Sequence, residues 1–171
     1  MRTHLVTLAL LVVAACGASS RPPAAAPAAP AAQTSGLHPG LNIRLTTIYV
    51  DDQERALRFY TDVLGFAKKD DYSNDGYRWV TVTSAADPDS IELLLALDSD
   101  PAAKALQEAQ FAQRHPAIMF YTADVKAEYE RLKAAGATFT MPPTDVGYGS
   151  IIATLDDTCG NLVQLTQLAK H

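Results

Sequence analysis

The chain has 171 residues, 48% of them hydrophobic and 19% charged, which is enough apolar material for one globular core plus accessory segments. Its net charge of −5 argues against a nucleic-acid binder, because that function needs Lys and Arg clustered on one face. The basic stretches that do occur, Lys68-Lys69 and Lys126 to Lys133, are interleaved with Asp and Glu and read as solvated surface.

Met1 to His4 is short, polar and basic, and Leu5 to Ala15 is an apolar run, broken only by Thr7, too short to span a bilayer. The run ends in Val13-Ala14-Ala15-Cys16, which resembles the lipobox of bacterial lipoproteins. That resemblance implies a signal peptide over residues 1–15, cleavage before Cys16 and lipidation of its thiol. Acyl chains hold a protein to a membrane at ~0.8 kcal/mol per buried methylene. Gly17 after the Cys, where Asp would imply inner-membrane retention, implies a lipid-anchored protein of the cell envelope, at the outer membrane and facing periplasm or surface. Residues 16–40 are rich in Ala and Pro without periodicity and read as a tether, extended at ~3.1 Å per residue where proline dominates. A single domain is expected over residues 41–171.

Ile43 to Val50 reads as a strand, and Asp52 as the N-cap of a helix running to about Leu64, with Ala56, Phe59, Tyr60 and Val63 at helical spacing and Gly65 as its stop. A short strand around Phe66 to Asp70 and strands at Tyr77 to Ser84 and Ile91 to Leu97 follow, giving β-α-β-β-β over about 41–99. Pro101 to Arg114 is Ala-rich and reads as a linking helix. The pattern then returns over about 115–168. Ala117 to Thr122 is a strand, Asp124 an N-cap, Val125, Tyr129 and Leu132 an apolar helix stripe, and Gly136 a stop; Phe139, Ile151 to Leu155 and Leu162 to Thr166 mark the closing strands. Tyr49 and Tyr121, like Asp52 and Asp124, stand 72 residues apart, which is the signature of an internal duplication.

Apart from Cys16 the only cysteine is Cys159, so the domain holds no disulfide of its own. Cys159 lies in the turn signal Asp156 to Asn161 with no His beside it in sequence and is not read as a nucleophile.

Tyr49-Val50-Asp51-Asp52-Gln53, Phe59 to Phe66, Tyr77-Arg78-Trp79, Ile91 to Leu95, Glu128 to Lys133 and Asp156 to Leu162 together resemble the vicinal oxygen chelate superfamily, which includes glyoxalase I, bleomycin-resistance proteins and extradiol dioxygenases. The resemblance spans Leu41 to Leu168 and implies an α+β fold of tandem βαβββ modules enclosing a cavity. Enzymes of that superfamily commonly hold a divalent metal through four side chains, the metal acting as a Lewis acid on vicinal oxygens. Carried onto this chain, the ligand positions fall on Leu45, on Ala117, on Gln164 and among Glu92, Leu94 and Ala96. Leu and Ala have no donor atom, so no metal and no other cofactor is expected. His115 precedes Ala117 by two residues, but the adjoining Pro116 favours an edge or loop and a structural role; His38 falls in the tether and His171 at the terminus.

Strand alternation in the family register points Leu45, Thr47 and Tyr49 into the cavity, with Met119 and Tyr121 opposite, Gln164 at the far wall, and Trp79 and Glu92 beside them. Such a lining suits a small aromatic or amphipathic molecule, with packing of a plain core as the alternative. Glu92, as the acidic member, is the candidate proton acceptor. The expectation is a metal-independent small-molecule-binding protein; the resemblance implies a homodimer, as is common in that superfamily, while the internal duplication also permits a self-sufficient monomer. A glyoxalase-like lyase, isomerase or dioxygenase with a non-standard metal site, and a structural lipoprotein with a vestigial cavity, are the alternatives.

Overall fold

The computed structural model describes residues 41–169. The signal segment 1–15, Cys16, the tether with His38, and His171 lie outside the described residues.

Strand β1 (Leu45–Val50) leads through Asp52 into α1 (Gln53–Arg58), whose first turn is closed by the Asp52 carboxylate accepting from Arg55 N at 2.9 Å. The helix does not run on regularly: Phe59–Val63 winds as one π-helical turn. The wider turn accompanies two consecutive aromatic rings, Phe59 and Tyr60, that are both buried. Strands β2 (Ala67–Asn74), β3 (Tyr77–Thr83) and β4 (Glu92–Leu97) complete the first module. Helix α2 (Pro101–Ala112), capped by Asp100 with Pro at its start, links it to the second. There β5 (Ile118–Tyr121) leads to α3 (Val125–Ala134), capped by Asp124 accepting from Lys126 N and Ala127 N at 3.0 Å, and then to β6 (Thr138–Asp145), β7 (Ile151–Asp156) and β8 (Leu162–Gln167).

Each module is a four-stranded sheet of the same topology, β1-β4-β3-β2 in one and β5-β8-β7-β6 in the other. The first strand of each runs parallel to the last, and the remaining neighbours are antiparallel. The fold is therefore the α+β pair of βαβββ modules that the duplication implied. Strand β6 is longer than its single apolar marker Phe139 suggested. It is an edge strand, and Pro142 and Pro143 are accommodated where its register with β7 shifts between Met141 and Thr144.

Alternation along the strands divides the side chains. Ile48, Val50, Val80, Val82, Leu93 and Leu95 are buried with Ala56, Phe59 and Tyr60 of the helical segment. The same core continues through Val125, Leu132, Ala153, Leu155 and Val163 of the second module. Each fully buried aliphatic side chain contributes about 1.5–3 kcal/mol, so one shared core strongly favours a joint structure. The seam is also bonded by polar groups. Arg131 of α3 donates to the carbonyls of Val63 and Leu64 at 3.0 and 3.2 Å, and Asn161 Nδ2 donates to the Tyr49 carbonyl at 2.8 Å. Tyr60 Oη donates to Asp157 Oδ2 at 3.3 Å.

Candidate functional site

Between the two modules the core does not close completely. Phe66, which follows the stop at Gly65, lies against Phe120 of β5, their ring centroids 4.8 Å apart and the planes tilted by 53°. On either side of this aromatic pair the seam opens into a groove. One compartment, of about 510 Å³, is walled by Thr46, Val82, Glu92 and Leu93 from the first module and by Ile118 and Met119 from the second. The other, of about 350 Å³, lies between the start of the β3–β4 connection, at Ser84 to Ala86, and Thr122, Glu128 and Arg131. Phe66, Ser84, Phe120 and Tyr121 border both, so the two compartments adjoin across the aromatic pair.

Strand β5 makes this possible because it is only four residues long and hydrogen-bonded on one side only, to β8. Its even residues, Ile118 and Phe120, join the core, and its odd residues, Met119 and Tyr121, remain exposed beside the groove. Glu92 lines the larger compartment and is not a free carboxylate: Lys69 Nζ lies 3.5 Å from its Oε1 and also donates to the Pro88 carbonyl at 2.8 Å. The wall of the larger compartment therefore carries an ion pair among apolar and aromatic side chains, and the smaller compartment adds the Ser84 and Thr122 hydroxyls and the Glu128–Arg131 pair.

Of the residues singled out in the sequence, the groove brings together Glu92, Met119 and Tyr121. Leu45, Thr47 and Tyr49 are exposed on the face of β1 opposite to buried Ile48 and Val50. Trp79 is half-buried on the corresponding face of β3, stacked on Tyr72 at 6.4 Å with an 18° interplanar angle. Gln164 is half-buried in β8 and donates to Thr166 Oγ1 at 3.0 Å. His115 is exposed just beyond α2, its backbone N–H donating to the Gln110 carbonyl at 2.9 Å. Phe66, Phe120, Ser84, Ile91 and Thr122 were not anticipated. The only signal for the two phenylalanines was that each follows a helix stop or alternates within a strand, which describes ordinary core residues equally well.

The four positions at which a metal would be held do not fit one. Leu45 and Ala117 offer no donor, Glu92 is engaged by Lys69, and Gln164 is opposite Met119 and Thr154 in its sheet. Among the described residues no three His, Cys, Asp or Glu side chains converge as a ligand set.

Several perturbed ionisable groups lie away from the groove, in the β7–β8 turn and on the Tyr60 ring packed against it. Burial pushes the Asp157 carboxyl above the usual carboxylate range, even though it accepts from the N–H groups of Cys159 and Asn161 at 2.8 and 2.9 Å and from Asn161 Nδ2 at 2.8 Å. Burial, and then the neighbouring Asp157 charge, push the Tyr60 hydroxyl well above its ordinary value. Burial likewise pushes the Cys159 thiol up, which makes it a poor nucleophile. Asp71, by contrast, is held down to about 2 by the Arg78 guanidinium, which grips it at 2.8 and 2.9 Å on the exposed side of the first sheet. These are structural contacts, not a reaction centre.

Comparison with known proteins places this geometry. The sequence model of the Glyoxalase/Bleomycin resistance protein/Dioxygenase superfamily matches residues 42–165. The uncharacterized protein YurT of Bacillus subtilis (strain 168) is 49% identical over 127 residues, covering 74% of this chain and 99% of YurT. Among solved structures, UcmS2 superposes with a TM-score of 0.65 at 27% identity, covering 74% of this chain and 97% of its own. TnmS3, an antibiotic binding protein from Streptomyces sp. CB03234, superposes with a TM-score of 0.60 at 26% identity, covering 75% of this chain and 97% of its own.

Proposed function

Because the chain belongs to the Glyoxalase/Bleomycin resistance protein/Dioxygenase superfamily, we propose that it is a binding protein that takes a small aromatic or amphipathic molecule into the inter-module groove without a metal. The observation that carries this reading is the pairing of an aromatic, largely apolar groove around Phe66 and Phe120 with metal positions two of which, Leu45 and Ala117, have no donor atom. Concave apolar walls with a few polar groups are what small organic ligands require. The likeness to TnmS3, which binds an antibiotic, supports a small-molecule partner.

The test is a fluorescence titration of the full chain with the apolar probe N-phenyl-1-naphthylamine. Saturable enhancement is expected, and Met119→Arg, which puts a charge on the groove wall at an exposed position, should abolish it without lowering the melting temperature. A probe response indifferent to this substitution would remove the groove from the reading. Titration with Ni, Zn, Mn and Fe(II) should leave the melting temperature unchanged. A saturable rise with any of them would restore a glyoxalase-like or dioxygenase-like enzyme.

The same reading puts the domain in the cell envelope, anchored through lipid on Cys16 and carried on the tether. Cys16→Ser should then move the protein from the membrane to the soluble fraction, and retention at the membrane would count against the anchor. The exposed apolar side chains Leu45, Tyr49, Met119 and Tyr121 support a homodimer, to be checked by sedimentation equilibrium of the C16S protein; a monomer across the concentration range would exclude it.

A further inference from the structure

The internal duplication provides a measure of what the groove lacks. Strands β1 and β5 are each a free edge of their sheet, and Tyr49 and Tyr121 hold the same place in them, paired with Ala96 and Thr166. In β1 the even carbonyls face β4, since Arg44 O accepts from Glu92 N at 2.9 Å and Val50 O from Asp98 N at 3.0 Å. The Tyr49 carbonyl therefore points out of the edge. In β5 the bond from Thr122 N to Thr166 O at 3.0 Å sets the same alternation, and the Tyr121 carbonyl points outward likewise.

The two carbonyls meet different fates. Tyr49 O is capped twice, by Gln107 Nε2 of α2 at 2.7 Å and by Asn161 Nδ2 at 2.8 Å. Asn161 is the residue immediately before β8. The residue immediately before β4 is Ile91, which has no donor, and the β3–β4 connection, residues 84–91, is longer than the β7–β8 connection, residues 157–161. Among the described residues no side chain donates to Tyr121 O. Where the first module has two carboxamides, the second has open space: the compartment beside Tyr121 measures about 350 Å³, against about 150 Å³ for the one beside Tyr49 and Gln107. Its far wall is the Phe66–Phe120 pair.

We infer that the outward-pointing Tyr121 carbonyl is a hydrogen-bond acceptor for the ligand, beside a Glu128 carboxylate already engaged by Arg131 at 2.8 Å, and that the ligand class is an aromatic carboxamide or similar planar N–H donor whose ring packs on Phe66 and Phe120. Such a molecule does at Tyr121 what Gln107 and Asn161 do at Tyr49. The inference rests on the groove being a binding site, and it adds the polarity of the contact: the protein accepts and the ligand donates. A ligand that lacks the N–H forfeits this hydrogen bond and is selected against by about the net worth of one such bond.

Benzamide and N,N-dimethylbenzamide, which share the ring and carbonyl but differ in the N–H donors, separate the possibilities. Each is titrated into the isotope-labelled full chain by amide NMR. Benzamide is expected to shift Tyr121 and Thr122 and to bind roughly three- to tenfold more tightly than its dimethyl analogue. Ala86→Trp, an exposed position on the rim of this compartment, is expected to remove those shifts while leaving the remaining spectrum in place. Equal affinities would overturn the acceptor role of Tyr121 while leaving the groove a binding site. Shifts that survive Ala86→Trp, or no shifts from either compound, would overturn it too, and the naphthylamine titration then judges the groove independently.

Discussion

Asp157 concentrates the electrostatic cost of the fold in one side chain. It is fully buried, and its carboxylate gathers four donors: the N–H groups of Cys159 and Asn161, the Asn161 carboxamide and the Tyr60 hydroxyl. These compensate burial only in part, because the carboxyl still titrates above its ordinary range. A carboxyl whose folded value is raised binds its proton more tightly in the native state. What it lends to stability is therefore fully present in acid, below the ordinary Asp value, and is lost as pH rises through the folded value. Asp157→Asn should abolish this segment of the pH dependence. At neutral pH it should also cost about 1–2 kcal/mol, because the new N–H₂ group faces the Asn161 and Tyr60 donors. Chemical denaturation from mildly acid to neutral pH, for the wild-type chain and the variant, checks both effects; parallel curves would show that Asp157 titrates normally.

At the scale of elements, the β7–β8 turn and α2 act as a unit. Gln107 Nε2 reaches the carbonyls of both Tyr49 and Cys159, at 2.7 and 2.9 Å, and so ties the helix to the edge of β1 and to the turn. The turn approaches closely enough only because residue 160 is glycine. Its φ is +93°, and a Cβ there would sit 2.8 Å from Gln107 Nε2. Gly160→Ala should therefore cost about 2–4 kcal/mol, from left-handed strain and displaced hydrogen bonds together, and lower the melting temperature by roughly 5–10 °C. In a Gln107→Ala background the contact part should vanish and only the backbone part remain, which a double-mutant cycle by thermal melting reads directly. Much of this level was legible in the sequence. Asp52 and Asp124 capped their helices as read, and the 72-residue repeat gave both modules, because capping and duplication are local or periodic signals. The π-helical turn at Phe59–Val63 was not legible, since one widened turn leaves the apolar spacing almost unchanged. Nor was β6, whose two prolines resemble a loop until its edge position is known. The groove was the least legible, because it depends on how Phe66 and Phe120, 54 residues apart, meet across the seam.

At the scale of the whole molecule, two copies of one motif could behave as two independent units or as one. The contacts favour one. Tyr60 of the first module lies edge-on to Phe120 of the second at 6.5 Å and is hydrogen-bonded to Asp157, and the buried cluster runs through both sheets without a break. A module alone would uncover these rings, at about 1.5–3 kcal/mol for each large apolar side chain and a further 0.5–1.5 kcal/mol for each lost aromatic pair. That loss is comparable with the entire stability of a small domain, about 5–15 kcal/mol, so neither half should persist without the other. The chain contains one tryptophan, Trp79, in the third strand of the first module, so its fluorescence follows that module alone while far-ultraviolet circular dichroism follows both. The two signals should give coincident urea transitions with one midpoint. A fluorescence midpoint separated from the dichroism midpoint would mean that the modules unfold separately. A groove that needs Phe66 from one module and Phe120 from the other would then be lost when the first module melts, so ligand affinity would fall at the first transition rather than the last.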